Sequence, residues 1–124
     1  MQVGQTFSQT ISVREQDTAV ALGSGGLSVF GTPAMIASME NTALKMVADA
    51  LPEGSQTVGT EINAKHTKAA LVGARITFTA TITEIDGRRI AYSIEAKNEQ
   101  GELIGSADHQ RFVVDAERFM SKLK

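Results

Sequence analysis

Pro33 and Pro52 are the only prolines in the chain, and they bracket one long apolar stretch. Thr32-Pro33 opens a helix: threonine is a favoured N-cap, and proline is preorganised for the first helical position. The run continues to about Leu51, and Pro52-Glu53-Gly54 stops it. Alternating segments flank this helix on both sides. Phe7 to Val13 alternates before it, and four strand candidates follow it. The first is Thr57 to Thr67. In the second, Gly73 to Asp86, Ile76, Phe78, Ala80 and Ile82 face one way and Thr77, Thr79, Thr81 and Thr83 the other. Asp86-Gly87 is a hairpin signal leading to Ile90, Tyr92, Ile94 and Ala96. Asn98 to Gly101 makes a second turn, a last strand runs from about Glu102 to Val114, and a short helix, Ala116 to Leu123, follows.

A single long apolar helix has to pack on the face of the sheet that these strands build. The expected class is α+β: a five-stranded antiparallel sheet wrapped around one central helix, the hot dog architecture. One helix does not cover five strands completely, and the first or the last strand leaves an open edge. Both points favour a homodimer or a higher homo-oligomer. The chain has 124 residues, 42% of them hydrophobic, which fits a single domain over 1–124. A formal net charge of −2 argues against a nucleic-acid partner, since no excess of cations is present to neutralise phosphates. The absence of cysteine excludes thiolate nucleophiles, disulfides and Cys-based metal sites. With only two histidines, His66 and His109, neither a metal nor any other cofactor is expected. No apolar run reaches the ~20 residues of a membrane span, so no membrane partner is expected. The polar, alternating Met1 to Arg14 is unlike a signal peptide, and a cytoplasmic location follows as the default.

Three residues break the local pattern. On a helical wheel Ser38, Asn41, Thr42, Lys45 and Asp49 cluster within about 50° of one direction, the expected solvent face. Glu40 falls roughly 160° away, among Ile36, Ala43, Leu44, Val47 and Leu51. A carboxylate in an apolar stripe costs several kcal/mol unless it is paired, hydrogen-bonded or protonated. It either satisfies a neighbouring backbone group or a second subunit, or it belongs to a reactive site. His66 is the second: the alternation groups it with Val58, Ile62 and Ala64, facing the helix. It is either a satisfied core histidine or, in the same layer as Glu40, half of a general acid–base pair. Thr32 is the third. Its hydroxyl caps the helix, or it lies beside a carbonyl held near free helix N–H groups that stabilise an oxyanion. His109 shares a face with Leu103, Ala107, Val113 and Arg111, and reads as structural or as part of a rim. Met35, Met39 and Met46 follow helical spacing and read as core. Lys65, Lys68, Arg75, Arg88 and Arg89 read as solvated faces, with contact to a phosphorylated ligand as the other use.

The segment Val29-Phe30-Gly31-Thr32-Pro33-Ala34-Met35-Ile36-Ala37-Ser38-Met39-Glu40, followed by Val58-Gly59-Thr60 and His66-Thr67, resembles the fluoroacetyl-CoA thioesterase-like family of the hot dog superfamily. The similarity extends through Gly87-Arg88-Arg89, Ile104-Gly105-Ser106 and Glu117-Arg118-Phe119, nearly the whole chain. The spacings from Thr32 to Glu40 and from Glu40 to His66 match the family's Thr, Glu and His triad. The resemblance implies hydrolysis of an acyl-CoA thioester, with Thr32 as nucleophile or water-positioning hydroxyl, His66 as base and acid, and Glu40 as its partner. Phe30, Pro33 and Gly59 would then meet the substrate, Gly59 through its backbone beside the thioester. The family's two lid phenylalanines fall on Gly23 and Gly26 of a glycine-rich stretch. Its prolines after the histidine fall on Leu71 and Val72. Both departures bear on which acyl group is accepted.

A thioesterase for short or medium acyl-CoA substrates is therefore the leading expectation. A non-catalytic acyl-CoA or acyl-metabolite binding module on the same fold is the alternative, since one scaffold hosts several functions. A hot dog dehydratase lacks its Asp and His pair here.

Overall fold

The computed structural model describes residues 1–124. In chain order the elements are β1 (Thr6–Ser12), α1 (Ala19–Leu22), α2 (Thr32–Val47), β2 (Ser55–His66), β3 (Arg75–Asp86), β4 (Arg89–Lys97), β5 (Leu103–Asp115) and α3 (Ala116–Ser121). Single 3₁₀ turns stand at Glu15–Asp17 and Ala48–Ala50, the second tightening the end of α2. The five strands form one antiparallel sheet in the order β1-β3-β4-β5-β2, which wraps around α2 as the sequence predicts. No helix is long and apolar enough to cross a membrane.

Of the two strands expected to leave an open edge, the first does and the last does not: β5 lies between β4 and β2, and the open edges are β1 and β2. After α2, the chain places β2 beyond the position that β5 later fills. That leaves a 12-residue strand with one side of its backbone unpaired.

The core is the contact between α2 and the inner sheet face. Met35, Met39, Ala43 and Val47 are fully buried with Ile76, Phe78, Ile94 and Ile104, as the helical spacing of the methionines implies. On the outer face Ser8 and Thr10 hydrogen-bond Thr79 and Thr77 at 2.7 and 2.8 Å, so the threonine face is the wet one. Gly105 allows the close approach of α2 to β5: a Cβ there would stand 2.5 Å from Met35 Sδ and 2.9 Å from the Lys65 carbonyl.

Three assignments of facing differ from the sequence reading. Thr42 is fully buried rather than on the solvent face, because β1 lies under that flank of α2. Its hydroxyl donates to the Ser38 carbonyl at 2.7 Å and accepts from Gln9 Nε2 at 2.8 Å. Val58 does not share a face with His66. The β2–β5 register shifts between Gly59 and Glu61, and this one-residue bulge inverts the alternation. Thr57 and Gly59 point inward before it, Ile62, Ala64 and His66 after it. On β5 a similar shift separates the exposed Leu103 from the inward Ala107, His109 and Arg111.

Candidate active site

Thr32 and His66 meet although they are far apart in sequence. The approach to α2 is stitched to the segment after β2 by a bridge from Val29 to Leu71 and by a 2.8 Å bond from the Phe30 N–H to the Ala70 carbonyl, while a bridge from Thr18 to Phe30 ties it to the start of α1. Thr32 is not the N-cap. Gly31 takes that position with extended backbone and no side-chain cap, and Thr32 is the first helical residue. Its hydroxyl is therefore not spent on the helix. Oγ1 lies 2.9 Å from Nδ1 of His66.

The pair lines a cavity of about 300 Å³ with Ala19, Ser24, Val29 and Phe30. Phe30 meets the His66 ring edge-on, with centroids 6.2 Å apart and planes at 76°. Ser24 brings the glycine-rich stretch to the same wall, where a small side chain leaves room. Burial holds the His66 imidazole below its ordinary pKa of 6.5, and the nearby Lys68 backbone opposes this in part. The ring is thus neutral near neutral pH. When Nδ1 accepts the Thr32 proton, Nε2 carries the ring's hydrogen, and that buried nitrogen has no hydrogen-bond partner within the chain.

Glu40 lies two helical turns beyond Thr32, about 12 Å along the axis. It is not at the centre of an apolar stripe. With Ile36 and Leu44 it forms a half-buried row at the margin of α2. Its side chain is 41% exposed, and its nearest cation is Arg111, with Oε2 and Nη1 3.8 Å apart. No ion pair joins it to His66 of the same chain. The carboxylate rests against β2 at Gly59, where a Cβ would come 2.9 Å from Oε2 and 3.4 Å from both Arg111 Nη1 and His109 Cε1.

Behind Glu40 stands a polar cluster that the sequence reading missed. Arg111 is only 6% exposed and His109 1%, so His109 is not a rim residue. Arg111 donates from Nε to Thr57 Oγ1 at 2.8 Å and from Nη2 to the Thr57 carbonyl at 3.0 Å. His109 Nδ1 lies 2.7 Å from the Glu61 carbonyl and must donate to it. Its Nε2 accepts from Arg111 Nη1 at 3.2 Å, so the ring is fixed as one neutral tautomer. Tyr92 stacks on His109 at 5.9 Å, and burial pushes its hydroxyl pKa up to about 12. The signal was available: an arginine on the inward face of a strand breaks the same rule that singled out Glu40.

Of the remaining expected positions, Phe30 lines the Thr32–His66 cavity and Gly59 adjoins Glu40. Pro33 lies outside that cavity, in a groove with Ile11, Leu22 and Ala37.

The family described as fluoroacetyl-CoA-specific thioesterase (FlK) matches residues 13–117. The fluoroacetyl-CoA thioesterase of Streptantibioticus cattleyicolor is 34% identical over 96 residues, covering 77% of this chain and 68% of that protein. A solved structure of the fluoroacetyl-CoA thioesterase FlK superposes with a TM-score of 0.94 at 30% identity, covering 99% of this chain and 95% of the other. A hot-dog-like protein from Thermanaerovibrio acidaminovorans shares the fold, with a TM-score of 0.88 at 24% identity over 98% of this chain and 89% of its own.

Proposed function

The chain belongs to the fluoroacetyl-CoA-specific thioesterase family and is an acyl-CoA thioesterase, and on that premise we propose that Thr32 and His66 are its reacting pair, with Glu40 as the third member. The carrying observation is the 2.9 Å contact between Thr32 Oγ1 and His66 Nδ1 in a cavity. A hydroxyl held on a neutral imidazole is the arrangement that activated oxygen nucleophiles need. The attacking oxygen, that of Thr32 or of a water it positions, gives its proton to His66 as the C–O bond forms. The tetrahedral intermediate then expels the CoA sulfur, which takes the proton from the imidazolium. If Thr32 attacks, water repeats the cycle on the acyl-threonine and releases the acid. Thr32→Ala separates the two routes: turnover is abolished if the threonine oxygen attacks and only lowered if water attacks.

Two observations support a homodimer as the working form. β2 is a long unpaired edge, and the half-buried Ile36–Glu40–Leu44 row lies beside it. The unpartnered Nε2 of His66 calls for an acceptor that its own chain does not supply. Glu40 of a second copy is the proposed acceptor; it would orient the ring and stabilise the imidazolium.

The acyl group lies along Phe30, and the backbone of Gly59 reaches the thioester from the second copy, beside that copy's Glu40. Pro33 serves the helix start rather than the acyl group. Because the wall at 23–26 carries no side chain larger than serine, short and medium acyl chains fit without selection for fluoroacetyl. The test is thiol release from a panel of acetyl-, fluoroacetyl-, butyryl- and octanoyl-CoA, read with a thiol-reactive chromophore. The cysteine-free chain adds no background. Release from several short or medium thioesters is expected. Release from fluoroacetyl-CoA alone would refute the open-pocket reading, and stabilisation by acyl-CoA without release would refute the reacting pair.

A further inference from the structure

Arg111 is a cation in an interior where cations are expensive. Burial pulls its pKa below the ordinary value, while Tyr92 and Glu40 pull it up. A packed apolar side chain at such a position often serves stability equally well, so the arginine calls for a use. Every nitrogen of its guanidinium is engaged, and the engagement has a direction. Nε and Nη2 are tied to Thr57, and Nη1 is held by His109. That same Nη1 faces Glu40 Oε2 at 3.8 Å. This is an ion pair without a hydrogen bond, and no hydrogen bond within the chain engages Glu40. Its oxygens therefore remain free to accept from a third group while the cation holds the carboxylate against Gly59.

We propose that Arg111 is a positioning residue for thioester hydrolysis: fixed by Thr57 and His109, it holds the Glu40 carboxylate over Gly59 in the orientation the reaction uses. The inference rests on Glu40 being part of the site, and it adds a support that the triad alone does not contain. Thr57 and His109 hold the fork in place, because the two bonds to Thr57 leave the guanidinium no second orientation. The bulge after Gly59 keeps the inward positions of β2 level with His109 and Arg111.

The test compares kcat and KM for wild type, Arg111→Gln, Glu40→Gln and the double variant, using the best substrate of the acyl-CoA panel. A positioning role lowers kcat in Arg111→Gln by roughly ten- to hundredfold with little change in KM. The same substitution then costs almost nothing in the Glu40→Gln background, because the group it acts through is already gone. An unchanged kcat, an effect on KM alone, or an equal loss in both backgrounds would overturn the proposal. If Arg111→Gln does not fold, Thr57→Val takes its place in the same cycle: it removes the acceptor of Arg111 Nε and leaves the buried charge. The two readings fail differently. Wild-type turnover in Glu40→Gln removes Glu40 from the site, whereas a strongly slowed but measurable Glu40→Gln with an additive Arg111→Gln removes only the positioning role.

Discussion

Gly59 and Glu40 touch across the margin between β2 and α2: a Cβ on the glycine would stand 2.9 Å from the carboxylate Oε2. Gly59→Ala therefore displaces Glu40 with little else to disturb. A shift of about 1 Å in such a group costs roughly hundredfold in rate. We expect a loss of that order in kcat, with a melting temperature near wild type. Steady-state kinetics beside thermal unfolding checks it, and full activity in Gly59→Ala would mean that Glu40 need not sit where it does.

His66 sets the acid limb of the pH–rate profile. Its pKa is held below the ordinary 6.5, chiefly by burial, so the reactive neutral form persists to lower pH than for a free histidine. Activity should rise with pH through a midpoint below 6.5 and then level off. A profile of kcat/KM against pH tests this, and a midpoint above the ordinary value would contradict the burial of the ring in the free enzyme.

His109 couples folding to pH. Burial lowers its pKa most, and Arg111 adds to this, against the Glu61 carbonyl and Glu40, which raise it. The folded ring has no free nitrogen for a second proton, whereas the unfolded one protonates freely. As pH falls below 6.5 the unfolded state binds more protons, so stability is lost in that window and is fully present above it. Denaturant melts at about pH 7 and about pH 5 should diverge for wild type and diverge less for His109→Gln, in which only His66 retains this linkage. An equal drop in both would place the acid sensitivity elsewhere.

If Glu40 reaches His66 across subunits, mixed dimers report it. Glu40→Gln and His66→Ala each retain only residual turnover as homodimers. Refolded together, they form hybrids in which one site combines an intact His66 with an intact Glu40. Recovery of up to about half of the wild-type activity per hybrid is expected, by the geometry of an isologous pair. Mixtures that stay at the residual level while the hybrids form would confine the triad to one chain.

The helix and strands were legible because their periods are strong. Two prolines delimit α2, and alternation marks β3 and β4 residue by residue. Glu40 and His66 stood out because each sits with an apolar set. What stayed hidden depends on single residues and long-range pairing. The bulge at Thr60 inverts the faces of β2, and no composition signal marks it. Thr32 has the chemistry of an N-cap, but Gly31 takes that place and frees the hydroxyl. α1, at four residues, is too short to carry a period. Arg111 was visible on an inward face, yet its bonds to Thr57 and His109 needed the β2–β5 register, which only the fold supplies.

The central claim is that Thr32 and His66 carry out the chemistry. The most direct measurement is thiol release by His66→Gln, an uncharged replacement of similar reach, compared with wild type on the best acyl-CoA at equal folded concentration. Loss of a general base predicts a kcat lower by about two to four orders of magnitude, with acyl-CoA still raising the melting temperature. Wild-type turnover in a folded His66→Gln would contradict the account, and the 2.9 Å contact with Thr32 would then be a structural bond.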